Sequence, residues 1–129
     1  MEFFLDRANE VVMYLVLRSD LNLPKGKAIA QAGHAVQLAI RAVEKSGREQ
    51  NLAWLREWEA GSYTKIALKI GSLEELERLS ESLAEADIIH CRVVDEGRTA
   101  IEPGTTTAIG IAPMPKTYSA ALIGLFKLY

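Results

Sequence analysis

Val11-Val12-Met13-Tyr14-Leu15-Val16-Leu17, closing on Arg18-Ser19-Asp20, carries the architectural information in this chain. The run is apolar without alternation and rich in β-branched residues. That pattern predicts a strand buried on both faces, as in an α/β sheet. Beyond a turn over Leu21 to Pro24, Ala28, Ile29, Ala32, Ala35, Val36, Ala39, Ile40 and Val43 recur at helical spacing, which predicts one long helix from Lys25 to about Ser46. Its many alanines would let it lie close against a sheet. A shorter helix follows over Asn51 to Ala60, with Leu52, Leu55 and Trp54 or Trp58 turned inward and Gly61 ending it. Tyr63 to Ile70 alternates as a strand. Ser72-Leu73-Glu74-Glu75 is a capping box opening a helix to about Ala86. Ile88 to Val94 and Thr106 to Ile111 read as further strands, and the glycines and proline between Asp95 and Thr105 as an irregular crossover. Tyr118 to Phe126 has helical character. Alternating strands and helices predict a three-layer α/β/α domain with a mixed sheet of about four strands.

The length of 129 residues suits a single domain, with residues 1–10 expected as an extension ahead of the first strand. A hydrophobic content of 49% fits a full core. One cysteine, Cys91, allows no intrachain disulfide and no cysteine-based metal framework. Met1-Glu2-Phe3-Phe4-Leu5-Asp6-Arg7 is acidic where a secretory signal is basic. The longest apolar run falls far short of the ~20 residues that span a bilayer. A cytoplasmic location, with no membrane partner, is therefore expected. The net charge of −2 argues at first against a nucleic-acid partner. Its distribution argues less strongly: six acids and one base lie between Ser72 and Asp87, which leaves the rest of the chain at +3.

Two stretches carry residues suited to chemistry. Lys25-Gly26-Lys27 opens the long helix, where free N–H groups and the helix dipole favour an anion. It is no Walker A motif, and taken alone it describes a solvated turn equally well. Asp95-Glu96-Gly97-Arg98-Thr99, with Glu102-Pro103-Gly104-Thr105-Thr106-Thr107, follows a strand end, where ligand sites in α/β sheets gather. By itself it is also readable as a polar loop. His34 lies among alanines, a setting that suggests a packed or hydrogen-bonded structural histidine. His34, His90 and Cys91 are too scattered for a zinc site, no activating base marks Cys91 as a nucleophile, and no GxSxG elbow occurs.

Together these stretches resemble the type-2 peptidyl-tRNA hydrolase family. The likeness runs from about Val11 to Ile111. It rests on Val16-Leu17-Arg18-Ser19-Asp20, on Lys25-Gly26-Lys27-Ala28-Ile29-Ala30-Gln31-Ala32-Gly33-His34-Ala35, and on Lys65. It continues through Asp95, Gly97, Thr99, Glu102-Pro103-Gly104-Thr105, Thr107 and Gly110-Ile111, and the closing Leu125-Phe126-Lys127-Leu128-Tyr129 also resembles the family's ending. The resemblance implies a mixed four-stranded sheet, a homodimer, and cofactor-free and metal-free hydrolysis of peptidyl-tRNA. It assigns catalysis to Lys27, Asp95, Thr99 and Thr107, and Gln31 and His34 match its motif positions; these two, with Lys25, Gly26, Lys65 and Arg98, are the candidate substrate contacts. Arg41 and Lys45 join the basic candidates for the tRNA backbone. Glu96 stands where the family has alanine, Ala100 where glutamine is common, and Ala112 replaces a glycine. The additional acid at Glu96 is expected to raise the pKa of Asp95. Two other functions fit the same residues: a phosphate- or RNA-binding module without catalysis, and hydrolysis of another acyl-tRNA-like ester.

Overall fold

The computed structural model describes residues 9–97 and 101–129. Strand β1 (Val11–Arg18) is buried at seven of its eight positions, the consequence of its unbroken apolarity. It lies inside the sheet, between β2 (Lys65–Ile70) and β4 (Thr106–Ile111), with β3 (His90–Val94) outermost beyond β4. Strand β2 runs parallel to β1, from Met13 opposite Lys65 to Arg18 opposite Ile70. Strand β4 is antiparallel to both β1 and β3, so the sheet is mixed, as expected from the sequence. A two-residue strand β5 (Met114–Pro115) pairs with the start of β1.

Helix α1 (Lys25–Ser46) begins after Pro24 and ends at Gly47, whose φ of 65° is the left-handed conformation that closes helices. Ala28, Ala35, Ala39 and Val43 form its buried stripe. That stripe crosses β1, β4 and β3. A Cβ at Gly110 of β4 would land on the carbonyl oxygen of Ala35, so helix and sheet meet there backbone to backbone. Helix α2 (Glu49–Ala60) packs beside α1 and turns Trp58 rather than Trp54 fully inward. Helix α3 (Leu73–Glu85) buries Leu76, Leu79 and Leu83 and touches β4, and α4 (Lys116–Ile123) contacts α3.

Element boundaries differ from expectation where local bonds intervene. Strand β2 starts at Lys65 because Tyr63 adopts a φ of 54°, stacked edge-on against Trp58. Strand β3 starts at His90 because Asp87 has a φ of 59° and the Ile88 N–H still bonds to Leu83 O. Ser72 Oγ accepts from the Glu75 N–H at 3.1 Å as a cap should, but the Glu75 carboxylate accepts from the Gly71 N–H. The last helix ends at Ile123, earlier than expected. The chain then lies along β2, with Leu128 bridging Leu68 and the Tyr129 N–H donating to Ala67 O at 3.0 Å.

Candidate active site

Strands β1 and β3 point the same way, so Arg18 and Asp95 emerge at one edge of the sheet, and α1 starts above that edge. Lys27 Nζ donates to Asp95 Oδ1 although 68 residues separate them, so helix start and strand end share one ion pair. Four residues along the same helix face, Gln31 Nε2 reaches the same oxygen at 3.5 Å. Gln31 Oε1 accepts from Thr107 Oγ1 at 2.5 Å, and that hydroxyl also lies 3.4 Å from Val93 O. The other oxygen of Asp95, Oδ2, accepts from the Gly97 N–H at 2.7 Å. The backbone of Asp95 is bonded twice more, its N–H donating to Thr105 O and its carbonyl accepting from the Gly104 N–H, each at 2.8 Å. Gly97 has a φ of 80° and no room for a Cβ against Pro103, so this tight return depends on glycine.

The carboxyl of Asp95 is held below the usual carboxylate range. The hydrogen bond from Lys27 is the main cause, burial opposes it, and the Gly97 N–H and the positive charges of Lys27 and His34 add to it. The upward shift expected from Glu96 is therefore not the direction found: a donor on Oδ1 outweighs an acid next in sequence.

A cleft of about 1080 Å³ opens over this pair, walled by the outer face of α1 and by β3. Lys27, Gln31, His34, Gly26, Asp95 and Glu96 line one end of it. His34 is exposed in this cleft rather than packed, because it falls seven residues beyond Lys27, off the Ala28–Ala35–Ala39 stripe. Lys25 is exposed but does not line the cleft. Lys65 is not brought to it: it pairs with Met13 at the opposite end of the sheet, its Nζ 5.2 Å from the Trp58 ring centroid. Thr107 is wholly buried, beneath Gln31, and touches the site only through that amide. Arg98 and Thr99 lie outside the described residues, as does Ala100. Among the described residues no three His, Cys, Asp or Glu side chains gather as metal ligands would, and no helix is long and apolar enough to cross a membrane.

One contribution escaped the sequence reading. Arg18 binds Asp20 through Nε at 3.0 Å and Nη2 at 2.6 Å, and its Nη1 donates to Thr106 O at 3.1 Å. This fork ties the end of β1 to the entry of β4, immediately before Thr107. The signal available was the pair of opposite charges two residues apart at a strand end.

Residues 11–129 match the family described as Peptidyl-tRNA hydrolase PTH2. The chain is 36% identical over 115 residues to a peptidyl-tRNA hydrolase of Aeropyrum pernix, covering 89% of this chain and 93% of that protein. It is 34% identical over 118 residues to one of Saccharolobus islandicus (92% and 98%). It is 36% identical over 116 residues to one of Sulfurisphaera tokodaii (90% and 96%). With the match spanning β1 to the final residue, and the paired Lys27 and Asp95 inside it, this chain belongs to the peptidyl-tRNA hydrolase PTH2 family.

Proposed function

We propose that this protein hydrolyses the ester between a peptide and the 3′ ribose of tRNA, in the cytoplasm where such esters arise. The observation that carries the reading is the buried ion pair of Lys27 and Asp95 lining a cleft, in a chain whose relatives are named for this reaction. Water adds to the ester carbonyl, a C–O bond forms, and the carbonyl oxygen becomes a tetrahedral oxyanion. The ammonium of Lys27, at a helix start with no acid in its first turn, stabilises that charge. The bond to the ribose 3′ oxygen then breaks, a proton from the attacking water ends on that oxygen, and peptide and free tRNA leave.

Asp95 is too acidic to take a proton efficiently near neutrality. Its part is to hold Lys27 and to accept a hydrogen bond from the attacking water, so positioning and electrostatics carry the rate. Gln31 and Thr107 act as positioning residues behind it, Thr107 through Gln31. Thr99 is assigned a hydroxyl contact with the same water on the family resemblance alone.

Incubating the protein with an N-blocked aminoacyl-tRNA and with the unblocked form, in EDTA, tests the reading. Cleavage of the blocked form alone is expected. Binding without cleavage would indicate the non-catalytic module, and cleavage of both a broader esterase.

We also propose a homodimer. Leu125 and Leu128 are 95% and 70% exposed beside the β2 edge, an apolar surface that a second copy would cover. Sedimentation at twice the 14.2 kDa chain mass, lost in Leu125→Glu/Leu128→Glu, is expected.

A further inference from the structure

The cleft continues well past the ester site. Beyond His34 it is lined along α1 by Leu38, Arg41, Ala42 and Lys45, and across from them by Cys91 of β3. Lys27 and Arg41 stand fourteen residues apart on one helix, a distance of about 21 Å, and Lys45 lies about 6 Å further. Among the described residues no ion pair engages Arg41 or Lys45, and no carboxylate lines this part of the cleft. Two like charges four residues apart repel each other and weaken a helix. A polyanion of any sequence would relieve that repulsion, whereas a peptide would do so only where it happened to carry acidic side chains.

A peptidyl-tRNA leaves the ester in two directions, one of them carrying a phosphate per nucleotide. We infer that the 3′ end of the tRNA runs along α1 from Lys27 toward Lys45, with its unpaired 3′ nucleotides passing His34 and Leu38 and the backbone phosphates further on resting on Arg41 and Lys45. The peptide then leaves by the opposite, Pro24–Gly26 end of the cleft. At the ~3.4 Å per nucleotide of a stacked strand, Arg41 sits about six nucleotides from the ester, so it meets the start of the acceptor stem rather than the terminal adenosine. This inference rests on the proposed hydrolysis. It adds a direction for the substrate and separates basic residues that composition alone left equivalent.

The test is Arg41→Ala/Lys45→Ala, assayed on N-blocked aminoacyl-tRNA and on an N-blocked aminoacyl adenosine, which has the ester but no upstream phosphate. The expected result is a KM for the tRNA substrate raised by roughly fivefold or more, with kcat retained. The salt dependence should weaken by about one to two in the slope of log K against log salt. Cleavage of the adenosine ester should match that of the unsubstituted protein. Arg56→Ala/Lys69→Ala, on α2 and β2 and away from the cleft, supplies the control for a general loss of positive charge. An unchanged KM and salt slope, or an equal loss on both substrates, would overturn the inference. So would an effect that appears only when the peptide is lengthened, which would put the peptide in this arm. Failure of the unsubstituted protein to cleave either ester would instead remove the hydrolase reading on which it stands.

Discussion

Both carboxylate oxygens of Asp95 are engaged before any substrate arrives, Oδ1 by Lys27 and Gln31 and Oδ2 by the Gly97 N–H. Such a group is fixed in orientation, which matters more to an ester hydrolase than basicity does. Lys27→Ala and Asp95→Ala are each expected to lower kcat/KM at least tenfold, about 1.4 kcal/mol of transition-state stabilisation; kinetics like those of the unsubstituted protein in both folded variants would refute these roles. The lowered pKa of Asp95 has a defined sign. Its folded value lies below its unfolded one, so the pairing contributes stability fully above the ordinary carboxylate value of ~3.9. That contribution is lost as the pH falls through the lower folded value. Lys27→Met removes the main cause while leaving the burial, so the Asp95 carboxyl should titrate at higher pH. Carboxyl carbon chemical shifts would record this, and an unmoved titration would mean that Lys27 is not the cause. Lys27 and Asp95 were legible in the sequence as a basic helix start and an acidic strand end. Thr107 was legible as a hydroxyl, but its place under Gln31 was not. Strand β4 is buried at five of six positions, so no alternation marks which way its threonines point.

Helix α1 shows what periodicity can and cannot deliver. Its limits were readable from Pro24 and from the end of the apolar pattern, and its alanine stripe announced close packing. The partner of that stripe was not readable, because Gly110 meets Ala35 across 75 residues of chain. Gly110→Ala places a methyl group where the Ala35 carbonyl stands. Overpacking of this kind costs about 1–3 kcal/mol, so a lower urea midpoint is expected; a midpoint equal to that of the unsubstituted protein would show the contact to be looser than described. Thr107→Val leaves the buried Gln31 carbonyl without its donor, with an expected loss of about 1–3 kcal/mol by the same measurement. The C-terminal turn was the least legible element. Leu128 and Tyr129 bond to β2, a long-range pairing that no local pattern announces.

At the scale of the whole molecule, the net charge of −2 gave little guidance because the charge is unevenly placed. The acids concentrate on α3, where Glu77 is already paired with Arg92, while α1 carries Lys27, Arg41 and Lys45 along one cleft. Charges separated by more than about 8 Å are largely screened at physiological ionic strength. Binding of tRNA should therefore weaken steeply with added salt despite the acidic pI of 5.7. A flat response would count against a tRNA ligand. The backbone contact between Ala35 and Gly110 has a mechanical corollary. It sits partway along a rigid rod, with Lys27 about 12 Å to one side and Lys45 about 15 Å to the other. It is thus a fulcrum: a tilt of only about 5° there swings the first lysine by about 1 Å, and a displacement of that size can cost 10²-fold in rate. The same tilt carries the far lysine the opposite way, so damage at this one glycine should degrade turnover and RNA grip together.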